Sequence, residues 1–205
     1  YRLAPEDPFP AALDDAVVSY QYLLSKGYGP NQILLCGESA GGGLCYALCL
    51  RLKQLKLPLP CGIIAISPWT DLTQSGATFD ENRDNDPSLS KELLDFYSAC
   101  YTKEPKNPLC SPLFGDLKDL PPSLLFAGGD EILLDDAQRL HQKLLDAGCK
   151  SKLYIEPERW HAYVLYCLAE NMQDDFGSIN HFLDKTLSPA KSLRWMKLDN
   201  AAKIY

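Results

Sequence analysis

A serine attacks an acyl carbon only when a base takes its proton and hydrogen-bond donors receive the new oxyanion. The residue best placed for that chemistry is Ser39, in the run Gly37-Glu38-Ser39-Ala40-Gly41. A short apolar stretch (Ile33, Leu34, Leu35) leads into it, and a long helical pattern leads out. This G-x-S-x-G spacing predicts a sharp strand-to-helix turn. Such a turn strains the serine backbone, and small residues two positions away on each side let the chain fold past itself. The first helical N–H, on Ala40, is then free to bind an oxyanion.

A base and an acid are still needed. In open parallel sheets, catalytic residues stand just beyond the carboxyl ends of strands. The apolar run Leu124–Ala127 leads into Gly128-Gly129-Asp130, and Leu153–Ile155 leads into a loop ending at Trp160-His161. The order Ser39, Asp130, His161 is one of the known chain orders for a serine triad. Glu131 and Asp135 are alternatives for the acid if the turn differs. Asp130 also suits a turn or cap, and Asp135 and Asp136 are competing N-caps. His161 is the one histidine at a strand end. His141 and His181 fall on helical patterns and read as solvated. No Cys/His cluster has zinc spacing, and Gly41–Gly43 lacks the lysine of a phosphate loop, so no metal or cofactor is expected.

The elements that must position these residues alternate. Pro10 can open a helix marked by Leu13, Val17, Tyr20 and Leu24, which Gly27 and Gly29-Pro30 close. The elbow helix runs over 40–57 with apolar Leu44, Leu48 and Leu52 and a basic end. Ile63 to Ser67 is a second strand, and its unbroken apolar run implies burial on both faces. Residues 73–122 carry no strand, are polar and mobile-looking to Ser90, and read as an insertion over the active site or as a long surface excursion. A helix marked by Leu133, Ala137, Leu140 and Leu144 ends at Gly148. The last helix shows Met172, Phe176, Ile179 and Leu183. The pattern predicts an α/β fold with a mostly parallel, doubly wound sheet and helices on both faces.

With 205 residues and 46% hydrophobic content, there is room for one such domain and a sizeable core. A net charge of -7 argues against nucleic acid and anionic membrane surfaces as partners. No stretch is apolar and long enough to span a membrane. Eight cysteines without a C-x-x-C read as reduced thiols in an intracellular, cytoplasmic protein.

Five motifs together resemble the hormone-sensitive-lipase-like (type IV) carboxylesterases of the α/β-hydrolase fold. They are Y-R-L-A-P-E-x-x-F-P-A-A-L-x-D (1–15), G-E-S-A-G-G (37–42), S-P-W-T-D-L (67–72), G-G-D-E-I-L-L-D-D (128–136) and W-H-A-Y (160–163). The resemblance covers 1–187. It implies a cofactor-free hydrolase of short- to medium-chain acyl esters with the triad Ser39, Asp130 and His161, and a lid within 73–122. Its H-G-G-G oxyanion loop and first strands would precede Tyr1, so a truncated domain is expected. An acyltransferase using the same triad, or a non-catalytic small-molecule-binding module, are the alternatives. Residues 188–192 read as a linker. The stretch Leu193–Tyr205, L-R-W-M-K-L-D-N-A-A-K-I-Y, resembles the opening of condensation-type acyltransferase domains.

Overall fold

A computed structural model of the chain describes residues 1–166 and 172–187. The linker and acyltransferase-like stretch at 188–205, and Cys167, lie outside the described residues. Four parallel strands form one sheet in the order β1-β2-β3-β4. They are β1 (Leu34–Glu38), β2 (Gly62–Ile66), β3 (Ser123–Gly128) and β4 (Ser151–Glu156). The register pairs Leu34 with Gly62, Ile63 with Ser123 and Ser123 with Ser151. Helices α1 (Ala11–Ser25) and α2 (Ala40–Gln54) flank β1 in sequence. Between β2 and β3 come α3 (Thr78–Glu81) and α4 (Lys91–Tyr101), followed by α5 (Leu134–Asp146) after β3 and α6 (Met172–Thr186) after β4. Among the described residues, 73–122 contains no strand, as its composition predicts.

The central strands sort their side chains by alternation. Ile63 and Ala65 of β2 face Tyr46 and Cys49 of α2 and Leu140 and Leu144 of α5. Ile64 and Ile66 join Leu124 and Phe126 on the opposite face, under Ile179, Phe182 and Leu183 of α6. Helices therefore cover both faces. Every residue of β2 and β3 is buried, whereas β1 and β4, at the sheet edges, are only partly buried. The unbroken apolar runs thus mark full burial only for the two inner strands.

Some helix details differ from the periodicity. α2 stops at Gln54, short of residue 57. In α6 Phe182 joins the expected Ile179 and Leu183 against the core, while Phe176 is exposed. α5 ends as expected: Gly148 takes a left-handed φ of 78°, its N–H bonds Leu145 O, and Cys149 N–H bonds Leu144 O. Asp135 and Asp136 do not cap this helix. Leu133 precedes its first residue, and both carboxylates reach back to the segment after β2. The seven cysteines among the described residues are free, and Cys45, Cys49, Cys110 and Cys149 are buried. Cys36 is exposed.

Candidate active site

β1 ends at Glu38 and α2 begins at Ala40, so Ser39 stands alone in the turn with φ 53° and ψ -121°. This is a strained position for a residue with a side chain. Three backbone bonds hold it. Ser39 N–H donates to Ile66 O at 2.9 Å, and its carbonyl accepts Trp69 N–H at 2.9 Å and Gly43 N–H at 3.2 Å. The elbow is thereby tied to β2 and the loop after it. A Cβ at Gly37 would strike the backbone of Gly41 and Gly42, and one at Gly43 would strike the carbonyl of Trp69. Gly41 differs from the expectation, because a Cβ there meets nothing within 4 Å. The steric requirement falls on Gly37 and Gly43 rather than on Gly37 and Gly41.

His161 reaches this elbow from the far side of the sheet. Its loop leaves β4 and crosses the strand ends in turn. Glu156 O accepts Gly129 N–H at 2.8 Å and Arg159 O accepts Asp130 N–H at 2.9 Å, both beyond β3. Ala162 N–H then donates to Ser67 Oγ beyond β2 at 2.9 Å. His161 Nε2 ends 3.4 Å from Glu38 Oε1, beside Ser39. Ser67 and Ala162 carry left-handed φ values of 47° and 58°, so backbone strain gathers at this edge.

The acid facing the imidazole is Glu131, with Oε2 3.1 Å from His161 Nδ1. Glu131 is fully buried and His161 is 7% exposed. Asp130, the expected partner, is half-buried and has no described bond to the ring. The reason lies in the backbone. The amides of Gly129 and Asp130 stay bonded to the loop after β4, so the turn opens one residue later than the glycines suggest. Asp135 has no described bond to the ring either; its Oδ2 accepts Ala77 N–H at 2.5 Å. A carboxylate on Nδ1 can only accept, which places the ring hydrogen there and leaves Nε2 as the basic nitrogen. The Glu38 contact becomes attractive when Nε2 gains a proton.

Side chains far away in sequence brace this edge. Asp136, wholly buried, accepts Thr70 N–H at 2.7 Å and Asp71 N–H at 2.8 Å. Burial pushes its carboxyl up to about 7, against the lowering effect of those two bonds. Burial also tends to raise Asp71, but hydrogen bonds from Ser75 and Thr73 hold it below its usual range. Arg139 Nη1 lies 3.1 Å from Asp71 Oδ2. Asn82 and Asp86, within the stretch that reads as mobile, bond the turn that carries Glu131. Nothing in their local spacing announces this. His141, expected to be solvated, bonds Ser151 Oγ through Nδ1 at 2.8 Å, and His181 is exposed.

A cavity of about 480 Å³ opens beside the elbow. Ala40, Gly43 and Ala47 of α2 form one wall, with Trp69 and the α4 residues Tyr97 and Tyr101 opposite. Its lining is largely apolar. Burial holds the Tyr101 hydroxyl well above its ordinary range.

The sequence model of a family described as alpha/beta hydrolase fold matches residues 1–165. The chain belongs to the α/β-hydrolase fold family. An acetyl-hydrolase of Streptomyces hygroscopicus is 40% identical to this α/β-hydrolase over 168 residues, 81% of the chain and 56% of that relative. An esterase of Acinetobacter venetianus is 39% identical over 169 residues, again 81% of the chain and 56% of the relative. The solved structure of an esterase from the bacterial hormone-sensitive lipase family superposes with a TM-score of 0.88 at 40% identity. That match covers 92% of this chain and 64% of the esterase. The resemblance carried by the motifs therefore extends over 92% of this chain. The α/β-hydrolase described here spans just over half the length of the curated relatives it matches.

Proposed function

We propose that this α/β-hydrolase is the catalytic part of a serine carboxylesterase acting on short- to medium-chain acyl esters. Ser39 is the nucleophile, His161 the general base, and Glu131 the acid that orients the ring, in the role the sequence motif suggested for Asp130. The observation that carries the reading is the two-sided placement of His161, with Nδ1 on a buried carboxylate and Nε2 turned to the elbow. In the reaction Ser39 Oγ attacks the ester carbonyl carbon while its proton passes to Nε2. The carbonyl oxygen, now negative, is held by the N–H of Ala40 at the head of α2. The imidazolium gives its proton to the departing alcohol, and a water activated by the same nitrogen cleaves the acyl-enzyme.

The apolar cavity next to Ala40 suits the hydrocarbon part of a small ester, with α4 supplying a wall from the 73–122 region. Among the described residues, no helix is long and apolar enough to cross a membrane. The relatives' names, acetyl-hydrolase and esterase, agree with this class of reaction.

The test is hydrolysis of p-nitrophenyl acetate through octanoate by the full-length protein and by its Ser39→Ala variant. Turnover is expected in the first and a loss of about 10⁴-fold or more in kcat in the second. A folded parent with equal rates in both forms would sink the proposal.

A further inference from the structure

The Glu131 carboxylate is fully buried, yet only one of its oxygens is engaged. Oε2 meets His161, and Oε1 has no hydrogen-bond partner among the described residues. A side chain with a single bond does not fix its own direction, so its backbone must be held from elsewhere. That hold comes from the segment after β2. The Asn82 side-chain amide donates to Gly129 O at 3.1 Å and to Glu131 O at 2.9 Å. Asp86 lies one turn further on, with its N–H on Asn82 O at 3.0 Å. Its Oδ2 accepts the Ile132 N–H at 3.0 Å, while Oδ1 accepts from Ser88 N–H, Ser88 Oγ and Leu89 N–H. Asn82 and Asp86 thus hold the Glu131–Ile132 peptide by its carbonyl and its amide, and Asn82 also holds the Gly129 carbonyl before the Glu131 side chain.

We propose that Asn82 and Asp86 are positioning residues that aim Glu131 at His161, and so couple the segment over the sheet edge to the base. This rests on the reading of Glu131 as the orienting acid. Neither residue touches a reacting atom. Their effect passes through the direction of one carboxylate, and misplacements of about 1 Å remote from the chemistry cost on the order of 10²-fold in rate.

The experiment is a double-mutant cycle in the full-length protein with p-nitrophenyl butyrate. Asn82→Ala, Glu131→Gln and the double variant are compared in kcat and KM, beside thermal melts. In the parent background Asn82→Ala lowers kcat about 30- to 100-fold with KM changed less than about threefold. In the Glu131→Gln background the same change costs less than about threefold, because the carboxylate it aims is gone. An equal loss in both backgrounds, a loss confined to KM, or kcat held within about twofold overturns the inference. If Glu131→Gln alone leaves kcat intact, the acid assignment itself has failed, which is a separate outcome. Where Asn82→Ala does not fold, Asp86→Asn keeps the side-chain volume and goes through the same cycle with the same expected and overturning results.

Discussion

The Ser39 elbow and the Glu131 turn sit at the same edge of the sheet but are built by opposite means. The elbow is shaped by what cannot fit. Gly37 and Gly43 are places where a side chain would collide with backbone, and the three bonds holding Ser39 are all main-chain. The Glu131 turn is shaped by what arrives from elsewhere. Side chains of Asn82, Asp86 and Thr78 hold its carbonyls and amides, and all come from the preceding β2–β3 connection. An exclusion rule is local, and five consecutive residues can state it. A rule of support from a distance leaves no trace in the segment it supports.

That contrast predicts the sharpest result at the acid. Glu131→Gln should lower kcat by about 10³-fold or more, by analogy with removing the orienting carboxylate of a triad. Asp130→Asn should cost less than about tenfold. Steady-state kinetics of the two variants decide the point, and the reverse ranking would return the acid to Asp130. Next in size is a comparison of stability at the elbow. Gly37→Ala should destabilise by about 3 kcal/mol, the upper range for overpacking, because the obstructing atoms are backbone. Gly41→Ala has open space and a helical position, so it should stay within about 0.5 kcal/mol of the parent or gain from alanine's better helix propensity. Urea unfolding of both variants measures this, and equal losses would erase the distinction between the two glycines.

A third comparison concerns Asp136, which ties the first turn of α5 to Thr70 and Asp71. Its folded-state pKa of about 7 lies above the ordinary value of 3.8. The folded protein therefore binds the proton more tightly than the unfolded chain. The stability this provides is present in full below pH 3.8 and is lost as pH rises through about 7. Asp136→Asn removes that dependence. The difference in urea midpoint between parent and variant should change between pH 5 and pH 8, and a constant difference would contradict the assignment.

How far the sequence could be read follows the same division. The alternation of strands and helices was legible because β2 and β3 are buried on both faces and so carry unbroken apolar runs. Ser39 and His161 were legible as candidates because a strand end marks each of them. The carboxylate that meets the imidazole stands one residue after the one the glycines point to. Gly128-Gly129 looks like the start of a turn, but the Gly129 and Asp130 amides continue to bond the neighbouring loop. The stretch after Leu72 looked mobile because its residues are polar. Their partners are backbone groups on β3–α5, and backbone groups have no letters in a sequence. In the C-terminal helix Ile179 and Leu183 face the core as their period predicts, while Phe182 packs there in place of Phe176, which fits the period better but is exposed.

The loop from Glu156 to Ala162 passes the ends of β3 and β2 on its way to Glu38 of β1, and it is tied down at both crossings. Pro157, Glu158 and Trp160 within it are exposed. Surface loops ordinarily accept insertions and deletions freely. This one works as a ruler laid across the sheet, and its span sets where the imidazole lands. Its length is therefore expected to be constrained more tightly than the identity of its exposed residues. A library that varies residues 157, 158 and 160 should keep active members, whereas one that adds or removes a single residue there should not.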